Sequence, residues 1–468
     1  MRLTKIVCTL GPSTDHALIM KHLINTGVDI VRINLSHGTR KEHDHRIALV
    51  RKIAAKNPIP PAVLFDTRGA AIRTGDVRDP LDIHKGQMVI FSSAPTPRKN
   101  NLPCIYVNYD GFAKDVATTK KILLDNGELS FDIVRIEKNK DVVGRAREDG
   151  VIGSRRHINL PGADVHLPSL TQKDWDDIVF AIEQDIDYVA LSFIRTADDI
   201  EEVRRFIQKK KGSLSIIAKI ETAQAVQNIN EIIRAADGVM VARGDLGAEI
   251  PYERIPAVQD AIVSLCGDAG KPVIVATHML ESMREHPIPT RAEITDVAHA
   301  AVTQADATML SGETANGKFP LRAVEAMANI LEETERNLAR FAHSGIQGVH
   351  DEREARAEAA ASMSESLGLP IVVFTRSGRT AEALSKFRPS TPIIALTDTP
   401  RVQRKLCLFF GIYPLLLPFK KDPESTLQNA WTIIKKAKLL HKGDRCILVS
   451  DVRSKDGGIS TVQVRAIP

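Results

Sequence analysis

The chain has 468 residues, of which 43% are apolar, 26% charged and only 4% aromatic, a composition that excludes a disordered chain, a fibrous repeat and an aromatic platform for single-stranded nucleic acid. Its 63 basic and 58 acidic residues leave a net charge of +5, spread along the sequence, which suits solubility or anionic small molecules better than a nucleic-acid groove. Five scattered cysteines (Cys8, Cys104, Cys266, Cys407 and Cys446) with no CxxC argue against a disulfide framework or a structural zinc site.

The opening MRLTKIVCTLGPS enters a strand-like run at once and lacks the apolar core and cleavage site of a signal peptide. No apolar run approaches the ~20 residues of a membrane span. The expected compartment is therefore the reducing cytoplasm, with neither a membrane nor a nucleic acid as partner. The length favours two to four domains, one of them large enough to be a barrel.

In chain order, eight short β-branched runs stand out: KIVCTL, VDIVRINLS, AVLFDTRG, YVALSFIR, SIIAKIET, GVMVARGDLG, PVIVATHML and ATMLSGET. Most are followed by a helix-period segment, and eight strands alternating with helices are the arithmetic of an α/β fold, the (β/α)8 TIM barrel. Reactive groups of such a barrel sit at the C-terminal ends of the strands. Polar residues collect there: Thr9; Arg32, Asn34 and Ser36; Asp66; Ser192; Lys219 and Glu221; Arg243 and Asp245; Thr277; Ser311 and Glu313. Period two predicts that Arg32, Asn34 and Ser36 share a face, as do Lys219 with Glu221, Arg243 with Asp245, and Ser311 with Glu313.

Between the third and fourth runs, residues 72–162 are too long for a loop. They read as an inserted β domain with a hairpin signal at Asn126-Gly127, placed where it can act as a lid. The polar stretch AHSGIQGVHDERE marks a boundary near residue 343. Beyond it, PIVVFT, PIIALTD and RCILVSD predict the buried strands of a small α/β domain. The expected division is a barrel from 1–71 and 163–342, a lid from 72–162 and a C-terminal domain from 343–468.

Glu221 and Asp245 are two oxygen donors that suit a hard divalent cation. Lys219 beside them is costly to bury unless an anionic, metal-bound substrate compensates it. A Lys-Glu ion pair closing the barrel accounts for the same residues structurally. Arg32 and Arg73 suit phosphate, which a guanidinium grips with two parallel hydrogen bonds. Asn34, Ser36 and Asp66 offer oxygens to a monovalent cation, or are solvated loop ends. Together they point to phosphoryl chemistry on a small acid.

Eight strings, RINLSHG, DTRGAAIRTG, INLPGADVHLPSL, SIIAKIET, MVARGDLGAEI, VIVATHMLESM, PTRAE and MLSGETANGKFP, resemble in order and spacing the successive signatures of the pyruvate kinases, from about Thr4 to Pro320 and more weakly beyond. The resemblance implies phosphoryl transfer from phosphoenolpyruvate to ADP, giving pyruvate and ATP in glycolysis, by a barrel with a mobile β lid and a regulatory C-terminal domain, assembled as a homotetramer. It implies Lys219 as the residue steadying the transferring phosphoryl and the enolate, and Glu221 and Asp245 as ligands of Mg2+ or Mn2+. Gly244, Asp245 and Thr277 would line the phosphoenolpyruvate site, and Arg32 would contact the phosphoryl. Asn34, Ser36, Asp66 and Thr67 match a K+ site. Arg73 and the stretch Asn34, Ser36 and His37 match nucleotide-phosphate contacts, and Arg156 stands where the family commonly has a lysine. Thr277, Ser311 and Glu313 match the proton route from enolpyruvate to pyruvate.

Departures from the family pattern are local. DTRGAAIR replaces the usual DTKGPEIR, with Arg68, Ala70 and Ala71; the missing glutamate leaves potassium dependence open. His278 replaces a usual glutamine. FTRSGRTAEA, with Thr375, Arg376, Ser377, Gly378, Arg379 and Thr380, resembles a loop that binds the phosphate of a sugar-phosphate effector, and is equally an N-capped helix with an ordinary turn. Arg453 is retained in the last loop. A magnesium-dependent 2-oxo-acid lyase and a catalytically silent sensor are the rival readings.

Overall fold

The computed structural model describes residues 1–94, 102–137, 141–163, 165, 167–337, 348–454 and 457–468. The boundary expected near 343 and the side chain of Arg453 lie outside the described residues.

The strands Lys5–Thr9, Ile30–Asn34, Ala62–Asp66, Tyr188–Leu191, Ser215–Ile220, Gly238–Ala242, Val273–Ala276 and Ala307–Leu310 close into a parallel barrel in sequence order, the first pairing with both the second and the eighth. These are the eight expected runs. They are buried on both faces because the inner face meets the opposite strands and the outer face meets the helices. Val7, Ile30, Leu64, Ala190, Ile217, Met240, Ile274 and Met309 pack inside. Their neighbours Ile6, Cys8, Val31, Val63, Val189, Ile216, Val239 and Val275 pack outward against the helices.

This parity positions the site. Counting by twos from Ile30, Leu64, Ala190 and Ile217 arrives at Arg32 and Asn34, Asp66, Ser192, and Lys219 with Glu221, all facing the barrel mouth. Period two does not extend to the other pairs expected to share a face. Arg243 and Asp245 belong to the helix Arg243–Glu249, and Glu313 to the helix Gly312–Ala315. In each case the strand has already ended, so side chains rotate by about 100° per residue instead of alternating.

Within the insertion, Ile158–Asn159, Lys121–Leu124, Leu129–Ile136, Val142–Ala146, Met88–Ser92 and Cys104–Tyr106 form a six-stranded sheet in that order. It has its own core, including Val89, Phe91, Phe112 and Phe131. The expected hairpin is present, turning through Asp125–Gly127, where Gly127 takes φ +97°. One short helix, Phe112–Val116, interrupts an otherwise β region.

The C-terminal sheet runs Ile412–Leu416, Ile393–Thr397, Ile371–Phe374, Arg445–Ser454, Gly457–Ala466, with only the last strand antiparallel to its neighbour. It docks on the end of the barrel where the strands begin. Arg388 grips Asp306 with two hydrogen bonds of 2.7 and 2.6 Å. Arg404 bonds Asp187 and Asp185, and the buried Lys5 donates to the carbonyl of Ile412. Among the described residues no helix is long and apolar enough to cross a membrane.

Candidate active site

Lys219 stands at the centre of the barrel mouth. Its Nζ lies 2.7 Å from Glu221 Oε1, 3.1 Å from Asp66 Oδ1 and 2.7 Å from the hydroxyl of Ser192. Burial draws the ammonium's pKa down, but the carboxylates of Asp66 and Glu221 outweigh it and hold the pKa above its ordinary value. The lysine therefore stays charged. Asp66 is 1% exposed; burial pushes its pKa up, and Arg32 and Lys219 together bring it below the ordinary carboxylate value. Arg32 donates through Nε to Asp66 Oδ2 at 2.7 Å and through Nη1 to Thr9 Oγ1 at 2.9 Å.

Glu221 is buried, and its second oxygen accepts the N–H of Phe193 at 2.8 Å. Burial, with a contribution from the charge of Asp245, pushes its pKa up to about 7, Lys219 opposing both. A buried carboxylate whose proton affinity a neighbouring carboxylate helps to raise, in a pair with oxygen donors only, fits a hard divalent cation that would relieve the repulsion. Among the described residues no three His, Cys, Asp or Glu side chains cluster as a metal site. Any cation held by Glu221 and Asp245 would thus take its remaining ligands from substrate or water.

Asp245 is one-third exposed and lies 4.0 Å from His157 of the insertion. Gly244 donates its N–H to Thr277 Oγ1 at 2.8 Å. Ser311 sits at the end of the eighth strand, half-buried. Glu313 is fully buried, and its oxygens accept the N–H groups of Ser311 and Leu280 at 2.8 and 3.1 Å. It ties two loops of the site together.

Of the four expected potassium ligands, Asn34 and Asp66 are partners in register, and Thr67 follows Asp66 at the end of the third strand. Each already has a partner in the protein. Asn34 Oδ1 already accepts from Ser36 N at 3.1 Å, the Thr67 carbonyl accepts from Ser192 Oγ at 2.7 Å, and both Asp66 oxygens are paired. Ala71 adds no carboxylate. Among the nucleotide contacts, Arg73 keeps a buried Nε without a hydrogen-bond partner among the described residues. His37 is exposed. Arg156, which stands where the family commonly has a lysine, pairs with Asp125 at 3.0 Å.

Far from this cleft, Thr375 Oγ1 accepts from Gly378 N at 3.0 Å, and Gly378 at φ +88° precedes the helix Arg379–Lys386. Arg376, Ser377 and Arg379 are exposed and Thr380 half-buried; the Arg376 guanidinium lies 5.5 Å from the ring centre of Phe419. Sequence reasoning placed Ser192 at a strand end but gave it no role; counting by twos from Ala190 sets it on the face of the mouth, where its hydroxyl meets Lys219. The same reasoning passed over His157, which carries no local signal because it comes to Asp245 from the insertion, 88 residues away in sequence.

Two family models match the chain: "Pyruvate kinase, barrel domain" over residues 1–324 and "Pyruvate kinase, alpha/beta domain" over residues 354–465. The chain is 40% identical to plastidial pyruvate kinase 2 of Arabidopsis thaliana, over 96% of this chain and 78% of that one. It is 37% identical to the pyruvate kinase of Geobacillus stearothermophilus, over 100% and 80%. The crystal structure of a pyruvate kinase from Cryptosporidium parvum superposes with a TM-score of 0.90 at 34% identity, covering 100% of this chain and 96% of that one.

Proposed function

The chain belongs to the pyruvate kinase family, whose enzymes transfer the phosphoryl group of phosphoenolpyruvate to ADP, and from that premise we propose that the cleft around Lys219 performs this transfer in glycolysis. The observation that carries the reading is the charged, buried Lys219 ammonium set between two carboxylates and a hydroxyl. Such a cation is preorganised to meet negative charge developing in a transition state.

In this reading Glu221 and Asp245 would hold Mg2+ or Mn2+, which would supply positive charge against the phosphate oxygens. Arg32, already fixed by Asp66 and Thr9, turns its remaining donors toward the phosphoryl group. Arg73, with its unpartnered Nε, takes the nucleotide phosphates with Asn34, Ser36 and His37. Gly244 and Thr277 line the phosphoenolpyruvate pocket. The bond between phosphorus and the enol oxygen breaks as a terminal ADP oxygen forms the new one. Lys219 steadies the enolate, which then takes a proton at C3 through a route lined by Thr277 and Ser311.

Arg156 contacts the nucleotide only by exchanging its partner Asp125 for phosphate. Potassium dependence is assigned a minor place, because Asp66 is already neutralised by two side chains. A sugar-phosphate effector at Thr375–Thr380, a homotetrameric assembly and a cytoplasmic location complete the reading. The residue ranges 1–71 with 163–342, 72–162 and 343–468 are its division into barrel, lid and regulatory domain.

The test is pyruvate formation from phosphoenolpyruvate and ADP with Mg2+, with and without K+. Turnover that changes less than about threefold with K+ supports both the activity and the closed monovalent site. No turnover in either salt overturns the activity.

A further inference from the structure

Arg243 is outside the residues given a role above, yet each of its five N–H donors has an acceptor. Nη2 donates to the carbonyl of Thr277 at 2.7 Å and to the sulfur of Met279, and Nε donates to the carbonyl of Ala276 at 3.4 Å. Nη1 donates to Asp296 Oδ1 at 2.7 Å and to Gln259 Oε1 at 3.3 Å. Arg243 follows the sixth barrel strand and Thr277 the seventh, and Ala242 and Ala276 are partners in register. Gln259 and Asp296 stand on the helices Ile255–Asp268 and Arg291–Val302. One guanidinium thus joins two strand ends to two helices behind them.

What it grips is an unusual turn. Thr277 and His278 take φ +69° and +53° in succession, a left-handed conformation that side-chain-bearing residues adopt only when their surroundings hold it. The turn sets the Thr277 hydroxyl, which accepts from Gly244 N at 2.8 Å and donates to the carbonyl of Ala276 at 2.6 Å.

We propose that Arg243 is a positioning residue for phosphoryl transfer, which keeps the left-handed Thr277–His278 turn, and through it the Thr277 hydroxyl, in its working place. The inference rests on the role proposed for Thr277. A planar fork with five donors satisfies this set of acceptors; the compact ammonium of a lysine does not.

The test is steady-state kinetics of Arg243→Gln, Arg243→Lys and Asp296→Asn, each made alone and together with Thr277→Ala, with a melting temperature for every variant. Arg243→Gln is expected to lower kcat about 100-fold, the scale of a misplaced catalytic group, while KM for ADP stays within about twofold. Arg243→Lys is expected to recover little of it. In the Thr277→Ala background the same change is expected to cost less than about twofold, because the hydroxyl it places is gone.

Asp296→Asn, at the more exposed edge of the guanidinium, keeps the test alive where Arg243→Gln fails to fold. It is expected to cost about fivefold with the same dependence on background. Equal losses in both backgrounds would overturn the inference and leave the proposed activity standing. Near-normal turnover by Thr277→Ala would overturn the inference together with the role of Thr277, and again not the activity.

Discussion

Lys219 keeps its charge in a setting where burial alone would strip it, and the two carboxylates that prevent this are 1% exposed themselves. Replacing it with methionine preserves length and packing and removes only the cation. Lys219→Met is expected to leave phosphoenolpyruvate binding measurable while kcat falls about 10²- to 10³-fold or more, as when a preorganised donor is lost. Near-normal turnover in a coupled assay would remove Lys219 from the mechanism. This residue was legible in the sequence because a lysine and a glutamate two apart in an apolar strand share a face. Arg243 was not legible in the same way. Its strand ends at Ala242 and a helix begins, so alternation placed it beside Asp245, whereas it turns back toward Gln259 and Asp296.

All eight barrel strands could be read from β-branched runs bounded by turn residues, since a strand buried on both faces has a near-continuous apolar sequence. Two strands of the C-terminal sheet could not. Ile412–Leu416 contains Pro414, which argues against a strand, yet it lies at the sheet edge, where the missing N–H costs no ladder bond. Gly457–Ala466 begins with two glycines and follows the polar stretch RSKD, so its pattern is weak. The join between barrel and C-terminal sheet was also invisible, because Asp306 and Arg388 are 82 residues apart in sequence. Asp306 accepts from Arg388, from Phe410 N and from Val273 N. Asp306→Ala leaves a buried guanidinium unpaired and is expected to cost about 3–5 kcal/mol. Chemical denaturation monitored by circular dichroism would record it as an earlier transition, and an unchanged midpoint would show that the join does not depend on this pair.

At the scale of the whole molecule, stability and cation binding are linked through pH. Glu221 ordinarily ionises near 4.5 and is pushed up to about 7 by burial and by Asp245. A fold that favours the protonated acid gains stability in full below about 4.5 and loses it as pH rises through about 7. Asp66, held below its ordinary value, acts in the opposite sense, but only under pH ~4. The metal-free protein is therefore expected to melt a few degrees lower at pH 8 than at pH 5.5. Mg2+ should restore more of that loss at pH 8, where no proton competes for Glu221. Equal Mg2+ stabilisation at both pH values in a thermal melt would separate Glu221 from the cation.

Barrel closure also sets an order of events during synthesis. Lys5–Thr9 pairs with Ala307–Leu310 in register, Lys5 opposite Ala307. The first strand emerges from the ribosome about 300 residues before its last partner, roughly 15 to 60 s at cellular elongation rates. Through that interval one strand edge waits unpaired, beside an insertion that has a core of its own. An early-made strand of only five residues offers little template for a wrong neighbour while it waits.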